Sequence, residues 1–196
     1  PQGRRPTARS MEEFILRLEL KLIADIGLVG MPNAGKSTFL SAVSRARPKV
    51  ADYPFTTLQP NLGIAELDMN RRLIVADIPG LIKGAADGAG LGHRFLKHIE
   101  RTGALLHLVD VMPIDGSNPV SNYKSIREEL ERYSKELASK EEIIVLNKVD
   151  LLSIDERDSI LTKIATELHL DPMITCSGAT HEGVREVLEH CWALTK

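Results

Sequence analysis

The segment from Gly30 to Ser37 constrains this chain more than any other, because it contains a glycine, four further residues, and then Gly-Lys-Ser. The apolar run 23–29 before it is typical of a buried central strand, and residues 38–43 after it are typical of a helix. A glycine loop between a strand and a helix directs backbone N–H groups toward phosphate oxygens. Lys36 is expected to reach the β- and γ-phosphates, and the Ser37 hydroxyl to bind Mg²⁺. The alternative, an ordinary glycine-rich turn beside a lysine, fits this context less well than a nucleotide-binding loop.

Length and composition exclude several other classes of protein. A chain of 196 residues is long enough for one domain with a sizeable core. Its formal net charge of −2 gives no basic field that would indicate nucleic acid or membrane as a partner. Cys176 and Cys191 are too few for a disulfide framework or a zinc site. The sequence shows neither an apolar run of membrane-spanning length nor a signal peptide, so we expect a monomeric cytoplasmic protein without a membrane partner.

Strand and helix patterns alternate along most of the chain, which predicts an α/β domain with a doubly wound, mostly parallel sheet of six strands. The strands at 62–67 and 72–78 are joined by so short a turn that they must be antiparallel, giving one antiparallel edge strand. Three further strands are predicted at 104–110, 142–146 and 172–176. Helices are predicted at 93–102, 120–139, 155–169 and 184–194. Ligands of such a sheet bind at the C-terminal ends of its strands.

The N-terminal part of the chain divides into two segments. Residues 1–15 carry arginine and proline but little to bury, so we expect a disordered tail or a remnant of a junction. Residues 16–22 alternate leucine with charged side chains, which predicts a lead-in strand with one leucine face. That face is expected either to pack on an N-terminal domain outside this chain or to form an edge of the same sheet. The remaining domain, 16–196, is the nucleotide-binding unit.

A second motif, Asn147-Lys148-Val149-Asp150, indicates which base is bound. One carboxylate can accept the N1–H and 2-amino protons of guanine together, whereas adenine lacks that donor pair. Asp150 is therefore expected to select GTP and GDP, with Asn147 at the opposite edge of the base and the Lys148 stem over its face. The turn 177–179 is expected to meet guanine O6 through its backbone. In this order behind the phosphate loop, these motifs predict a Ras-like G domain that binds GTP.

Two further elements are expected to sense the third phosphate. Asp77 and Gly80 form an Asp-x-x-Gly element, in which Asp77 faces Mg²⁺ and the Gly80 N–H faces the γ-phosphate. Thr57 is the candidate threonine that completes the metal shell, and Thr56 is its competitor. The predicted metal ligands are Ser37, Thr57 and Asp77, and the predicted catalytic residues are Asn33, Lys36, Thr57 and Gly80. The predicted GTP contacts are Gly30, Met31, Pro32, Asn33, Ala34, Gly35, Lys36, Ser37, Thr38, Phe55, Thr56, Thr57, Leu58, Gln59, Asp77, Ile78, Pro79, Gly80, Asn147, Lys148, Val149, Asp150, Ser177, Gly178 and Ala179.

The switch segments resemble those of the Obg family of bacterial GTPases, both at 52–63 and at 77–93 with its crowded glycines. The resemblance extends from about Leu16 to the C-terminus. It implies a slow GTPase switch associated with the large ribosomal subunit and with growth or stress signalling. It also implies a glycine-rich N-terminal domain, which would cover the leucine face at 16–22.

One departure from the Ras-type pattern affects hydrolysis. Leu81 stands where Ras-like proteins have the glutamine that orients the attacking water. Hydrolysis is therefore expected to rely on Mg²⁺, Lys36 and the switch backbone, or on a group from elsewhere. His93 and His98 are expected to be packing or surface residues rather than general bases. Asn33 either helps to hold K⁺ beside the phosphates, as in potassium-dependent GTPases with a similar loop, or only stabilises the loop.

Two rival functions deserve comparison with a ribosome-docking switch. The chain could be a GTPase module of a tRNA-modification-type enzyme, since such proteins share the loop 32–37 and a potassium requirement, but they lack the sequence 53–57. It could also be a P-loop kinase or a structural nucleotide binder. The guanine motif at 147–150 argues against that last alternative.

Overall fold

The computed structural model describes residues 24–44, 49–50, 61–77 and 102–195. The strands are Ala24–Val29 (β1), Lys49–Val50 (β2), Asn61–Glu66 (β3), Arg72–Asp77 (β4), Thr102–Asp110 (β5), Glu142–Asn147 (β6) and Ile174–Cys176 (β7). The α-helices are Lys36–Val43 (α1), Pro119–Tyr133 (α2), Lys135–Ala138 (α3), Ile154–Leu168 (α4) and Val184–Thr195 (α5). A turn of 3₁₀ helix, Val149–Leu151, follows β6.

These strands form one mixed sheet in the order β2-β3-β4-β1-β5-β6-β7. β1 is parallel to both β4 and β5, β5 to β6, and β6 to β7. β3 is antiparallel to β4, as the short turn predicts, and the two-residue β2 pairs with the other edge of β3. The predicted α/β fold is confirmed, and β2 adds a short seventh strand to the six expected.

The helices cover both faces of the sheet, which explains why its central strands are apolar almost throughout. On one face, Phe39 of α1 and Val187 of α5 belong to the same buried core cluster as Leu106 and Leu108 of β5. On the opposite face, α2 packs near Leu105. β1 and β5 are nearly completely buried, so the core of the domain continues to the strand ends where ligands of such a sheet bind.

Several element ends differ from the sequence-based prediction. The helix expected over 120–139 is divided at Ser134, which ends α2 and whose hydroxyl accepts a hydrogen bond from Leu137 N at 3.4 Å to begin α3. α1 ends at Val43 instead of 45–47, because Ser44 is extended and forms an isolated β-bridge with Ala65 of β3. Thr102 begins β5 and does not end a helix.

Several predicted segments lie outside the described residues: the tail 1–15, the lead-in strand 16–22 and the helix expected from His93 onward. The division of the chain at 16 therefore stays a prediction. Within the part of the chain that the structure describes, no helix is both long enough and apolar enough to span a bilayer.

Candidate functional site

The loop between β1 and α1 has a backbone that only glycine adopts readily. Gly30 has a φ of +145° and Gly35 a φ of +96°, values that are costly for residues with a Cβ. A Cβ on Gly30 would also lie 2.5 Å from the carbonyl oxygen of Leu108 on β5. Gly35 caps α1 directly, so the first N–H groups of that helix point into the loop, where an anion can accept hydrogen bonds from them.

Lys36, the first residue of α1, lies across this loop. Its ammonium donates to the carbonyl oxygens of Gly30 and Met31, both at 2.9 Å. Burial lowers the pKa of the Lys36 amine, and the nearby Asp77 carboxylate opposes that effect. A phosphate placed here would favour the ammonium form, since an opposite charge favours the charged state of a buried group.

Ser37 and Asp77 lie together although 40 positions separate them in sequence. Asp77 ends β4, in register with Leu28 on β1, and its side chain is buried. The Ser37 hydroxyl donates to Asp77 Oδ2 at 2.6 Å. A hydroxyl and a carboxylate are hard oxygen ligands, the kind that Mg²⁺ takes together with substrate phosphates and water.

The donor set therefore fits Mg²⁺, because Mg²⁺ needs only one or two carboxylates when phosphates complete its shell. The described residues contain no cluster of three or more His, Cys, Asp or Glu that could hold a metal by themselves. The other predicted ligand, Thr57, lies outside the described residues, together with Phe55, Thr56, Leu58, Gln59, Ile78, Pro79, Gly80 and Leu81.

Asn147 ties the base-recognition motif to the phosphate loop. Its side chain is fully buried at the end of β6. The amide Nδ2 donates to Ala34 O of the phosphate loop at 2.7 Å. The amide Oδ1 accepts from Gly178 N and from the Cys176 thiol, each at 3.3 Å. Asn147 thus joins three segments through one amide, and its expected contact with the edge of the base stays a prediction.

The rest of this motif surrounds Asn147. Lys148 has a φ of +68°, which is uncommon for a residue other than glycine. Its ammonium pairs with Asp110 Oδ2 at 2.6 Å. Val149 is buried in the core, whereas Asp150, in the 3₁₀ turn, is exposed. The Asp150 carboxylate is therefore accessible to a ligand, as its predicted role requires.

The loop after β7 packs directly on the start of α1. A Cβ on Gly178 would lie 3.1 Å from Phe39 N, so a side chain there would press on the helix. Ser177 is buried, and its hydroxyl accepts a hydrogen bond from Thr180 N at 3.0 Å. Ala179 is exposed. The structure therefore brings all the described parts of the predicted site, 30–38, Asp77, 147–150 and 177–179, to one edge of the sheet.

Two residues of this arrangement were not predicted from sequence as site residues: Asp110 and Cys176. Each is the last residue of a strand, Asp110 of β5 and Cys176 of β7. Position at the C-terminal end of a parallel strand was the available signal, because ligands bind at that edge. Neither residue belongs to a recognisable motif, so their contacts with Lys148 and Asn147 required the structure.

Comparison with known proteins agrees with this geometry. The family model described as 50S ribosome-binding GTPase matches residues 25–148. Among solved structures, the chain is similar to a variant of Aquifex aeolicus Era bound to GDP·AlF4⁻, with 21% identity and a TM-score of 0.63 over 87% of this chain. It spans only 56% of that Era chain.

Two other structures share the fold. One is Era in complex with MgGDPNP and nucleotides of 16S ribosomal RNA, with 22% identity and a TM-score of 0.62 over 90% of this chain and 57% of that one. The other is the G domain of the T. maritima FeoB iron transporter, with 18% identity and a TM-score of 0.60 over 87% of this chain and 98% of that one. At these identities the structures show the shared fold alone.

Proposed function

Because the chain belongs to the family of 50S ribosome-binding GTPases, we propose that it is a GTP-hydrolysing switch of the Obg type that docks on a ribosomal particle in one nucleotide state. The hydrogen bond from Asn147 to Ala34 O carries the proposal, since it holds the guanine motif and the phosphate loop in one cleft. The Obg assignment rests on the sequences 52–63 and 77–93. We expect the protein to act as a cytoplasmic monomer in growth or stress control.

In this proposal, the backbone N–H groups of the loop and the ammonium of Lys36 bind the β- and γ-phosphates. Ser37 and Asp77, with Thr57, would hold Mg²⁺, which would supply positive charge to neutralise the phosphates. The Gly80 N–H binds the γ-phosphate and so transmits its presence to the second switch. Asp150 accepts the two guanine donors. GTP is therefore bound at both ends, and only its γ-phosphate end changes on hydrolysis.

Turnover is expected to be slow, because Leu81 can neither donate to nor accept from the attacking water. Catalysis in such a site depends on positioning and charge. Asn33 is exposed and has a φ of +63° within the loop, so its side chain is accessible to the monovalent cation that we propose it binds near the phosphates.

The cation proposal predicts faster GTP hydrolysis in KCl than in NaCl at equal ionic strength. The difference should disappear in Asn33→Ala, while GDP affinity stays close to wild type. Leu81→Gln should restore little activity, because the switch sequences 52–63 and 77–93 resemble those of the Obg type and not the Ras type. Equal wild-type rates in the two salts would exclude the cation and favour a group supplied by a partner.

Docking is tested by co-sedimentation with purified 50S and 30S particles in GDP and in GDPNP. The family description favours the 50S particle, whereas the similar Era structure contains 16S ribosomal RNA, so both particles belong in the experiment. We expect nucleotide-dependent sedimentation with 50S. Asp150→Asn should lose the response to guanine nucleotides and regain it with xanthosine nucleotides. Sedimentation that does not depend on the nucleotide would contradict the proposal of a switch. Preferential sedimentation with 30S would contradict the 50S particle as the docking partner.

A further inference from the structure

We propose that Asp110 is a positioning residue for guanine-nucleotide binding: its carboxylate holds the Lys148 ammonium, so that the Lys148 stem is fixed where it covers the base. The inference rests on the proposed role of Lys148 in the base site. It extends that site to the C-terminal end of β5, which contains no recognised motif.

Asp110 is built into the framework of the sheet. It is the last residue of β5, it is buried, and it lies in register with Asn147 on β6. Its two carboxylate oxygens have separate partners. Oδ1 accepts from Met112 N at 3.0 Å, which closes the first turn of the following loop, and Oδ2 pairs with Lys148 Nζ at 2.6 Å.

Lys148 runs from the end of β6 past the phosphate loop toward Asp110. A Cβ built on Gly35 would lie 3.9 Å from Lys148 Cε, so the stem passes beside the loop that caps α1. The positive φ of Lys148 is a costly backbone conformation that persists only where the surroundings determine it. A hydrogen bond from Val111 N to Asn147 O, at 3.1 Å, fixes the two strand ends relative to each other.

This ion pair is not an ordinary surface contact. The Asp110 side chain is 9% exposed and that of Lys148 is 26% exposed, so solvent and salt screen the pair less than they would screen two exposed charges. A free lysine has many rotamers, and ordering them on binding weakens affinity. Asp110 orders the stem before the nucleotide arrives. It should therefore slow guanine-nucleotide dissociation without choosing the base.

The test compares GDP affinity and dissociation rate in wild type, Asp110→Asn, Lys148→Ala and the double variant. Asparagine keeps an acceptor for Met112 N and nearly the same volume, but it removes the charge. We expect Asp110→Asn to release GDP up to about tenfold faster, because one more rotamer-rich side chain must then be ordered when the nucleotide binds. The double variant should be no weaker than Lys148→Ala, because Asp110 acts through Lys148. Preference for GDP over XDP should be unchanged in Asp110→Asn, since Asp150 is intact.

Lys148→Met provides a second measurement that leaves Asp110 in place. Methionine retains an unbranched apolar stem but cannot pair with the carboxylate, so it should release GDP about as fast as Asp110→Asn. If Lys148→Ala binds GDP like wild type, the proposed base site is wrong. If Lys148→Ala weakens binding but Asp110→Asn and Lys148→Met do not, or if the losses in the double variant add, the role of Asp110 is wrong and the base site stands.

Discussion

At the proposed phosphate end of the site (30–37) the shape is set by backbone conformation, whereas at the proposed base end (147–150 and 177–179) it is set by buried side chains. Gly30 and Gly35 have φ values of +145° and +96°, and the loop between them directs main-chain groups at its ligand. At the other end, one fully buried amide, that of Asn147, bonds to the main chain of Ala34 and Gly178. The exposed Asp150 carboxylate stands beside this framework.

The difference separates two tasks. Backbone N–H groups bind any phosphate, so the first end gives affinity without regard to the base. Side chains with fixed donors and acceptors discriminate, because an analogue that lacks a partner leaves polar groups unpaired. Substitutions at the base end should therefore change which nucleotide binds, whereas substitutions in the loop should change how tightly all nucleotides bind.

Asp150→Asn tests the base end alone and should have the largest effect. An amide presented to guanine places a donor against the 2-amino group, so GDP affinity should fall by up to roughly 10⁴-fold, while XDP affinity rises. Because Asp150 is exposed, the melting temperature of the nucleotide-free protein should not change. Calorimetric titration with GDP and XDP measures both affinities. A variant that still prefers GDP would show that another group reads the base.

Gly35→Ala tests the point where the two ends meet. The new Cβ would be strained at a φ of +96° and would collide with the Asn147 amide. Strain and collision of about 3 kcal/mol would weaken GDP and XDP alike by roughly a hundredfold. Fluorescent-nucleotide binding measures the loss.

Gly116→Ala is the matched control, because Gly116 has a φ of +69° with nothing within 4 Å of the added Cβ. It should cost only about 1–2 kcal/mol of stability from strain and leave nucleotide affinity unchanged. If the two alanine variants lose the same nucleotide affinity, the collision with Asn147 has no role.

Substitution of Asn147 is a third test, because it can remove the hydrogen bond to Ala34 O without changing the volume of the side chain. Asn147→Asp keeps the shape but turns a carboxylate oxygen toward Ala34 O, where the amide now donates at 2.7 Å. Asn147→Ala removes both groups and leaves two buried backbone partners, Ala34 O and Gly178 N, unsatisfied, at a cost of about 1–3 kcal/mol each. We expect the aspartate variant to unfold at lower denaturant concentration than the alanine variant. The reverse order in urea denaturation would mean that packing, not the hydrogen bond, matters here.

The geometry of the phosphate end was largely predictable from sequence, whereas the contacts of the base end were less so. The loop 30–37 has one pattern with one geometry, since its glycines and lysine occupy fixed positions along the chain. That Ser37 and Asp77 lie together could be predicted because each belongs to a motif of its own. The sheet followed from the alternation of strands and helices, and element ends shifted only where a local group intervened, as Ser134 does between α2 and α3.

The base end depends on contacts between residues distant in sequence, for which no local pattern exists. Asn147 reaches Ala34 across 113 positions, and Lys148 reaches Asp110 across 38. Strand register decides the contact between Lys148 and Asp110, because Asp110 and Asn147 are opposed in the parallel β5–β6 pair. A sequence pattern predicts that such strands exist but does not fix their register to one residue.

The smallest predicted effect is the pH dependence of stability that the two cysteines cause. Cys176 lies in the proposed site, whereas Cys191 is a core residue, so the two can be compared. Burial raises the pKa of the Cys176 thiol and of the Cys191 thiol from 9.0 to about 12. A folded-state pKa above the unfolded value gives a stabilising contribution that is complete below pH 9 and is lost as the pH rises toward 12. At pH 10 each thiol should therefore lower the free energy of unfolding by about 1.4 kcal/mol relative to pH 7.

Cys191→Ala isolates this effect from other titrating groups, because the stability difference between wild type and variant should narrow by about 1.4 kcal/mol between pH 7 and pH 10. Cys176→Ala should narrow in the same way. Because the Cys176 thiol also donates to Asn147 Oδ1, only its replacement should weaken GDP binding at pH 7. Urea denaturation at the two pH values measures the stability differences of both variants, and GDP titration at pH 7 measures their nucleotide affinity. A pH-independent difference would show that the thiols ionise freely in the folded protein. Equal GDP affinities for the two variants would separate Cys176 from the base end.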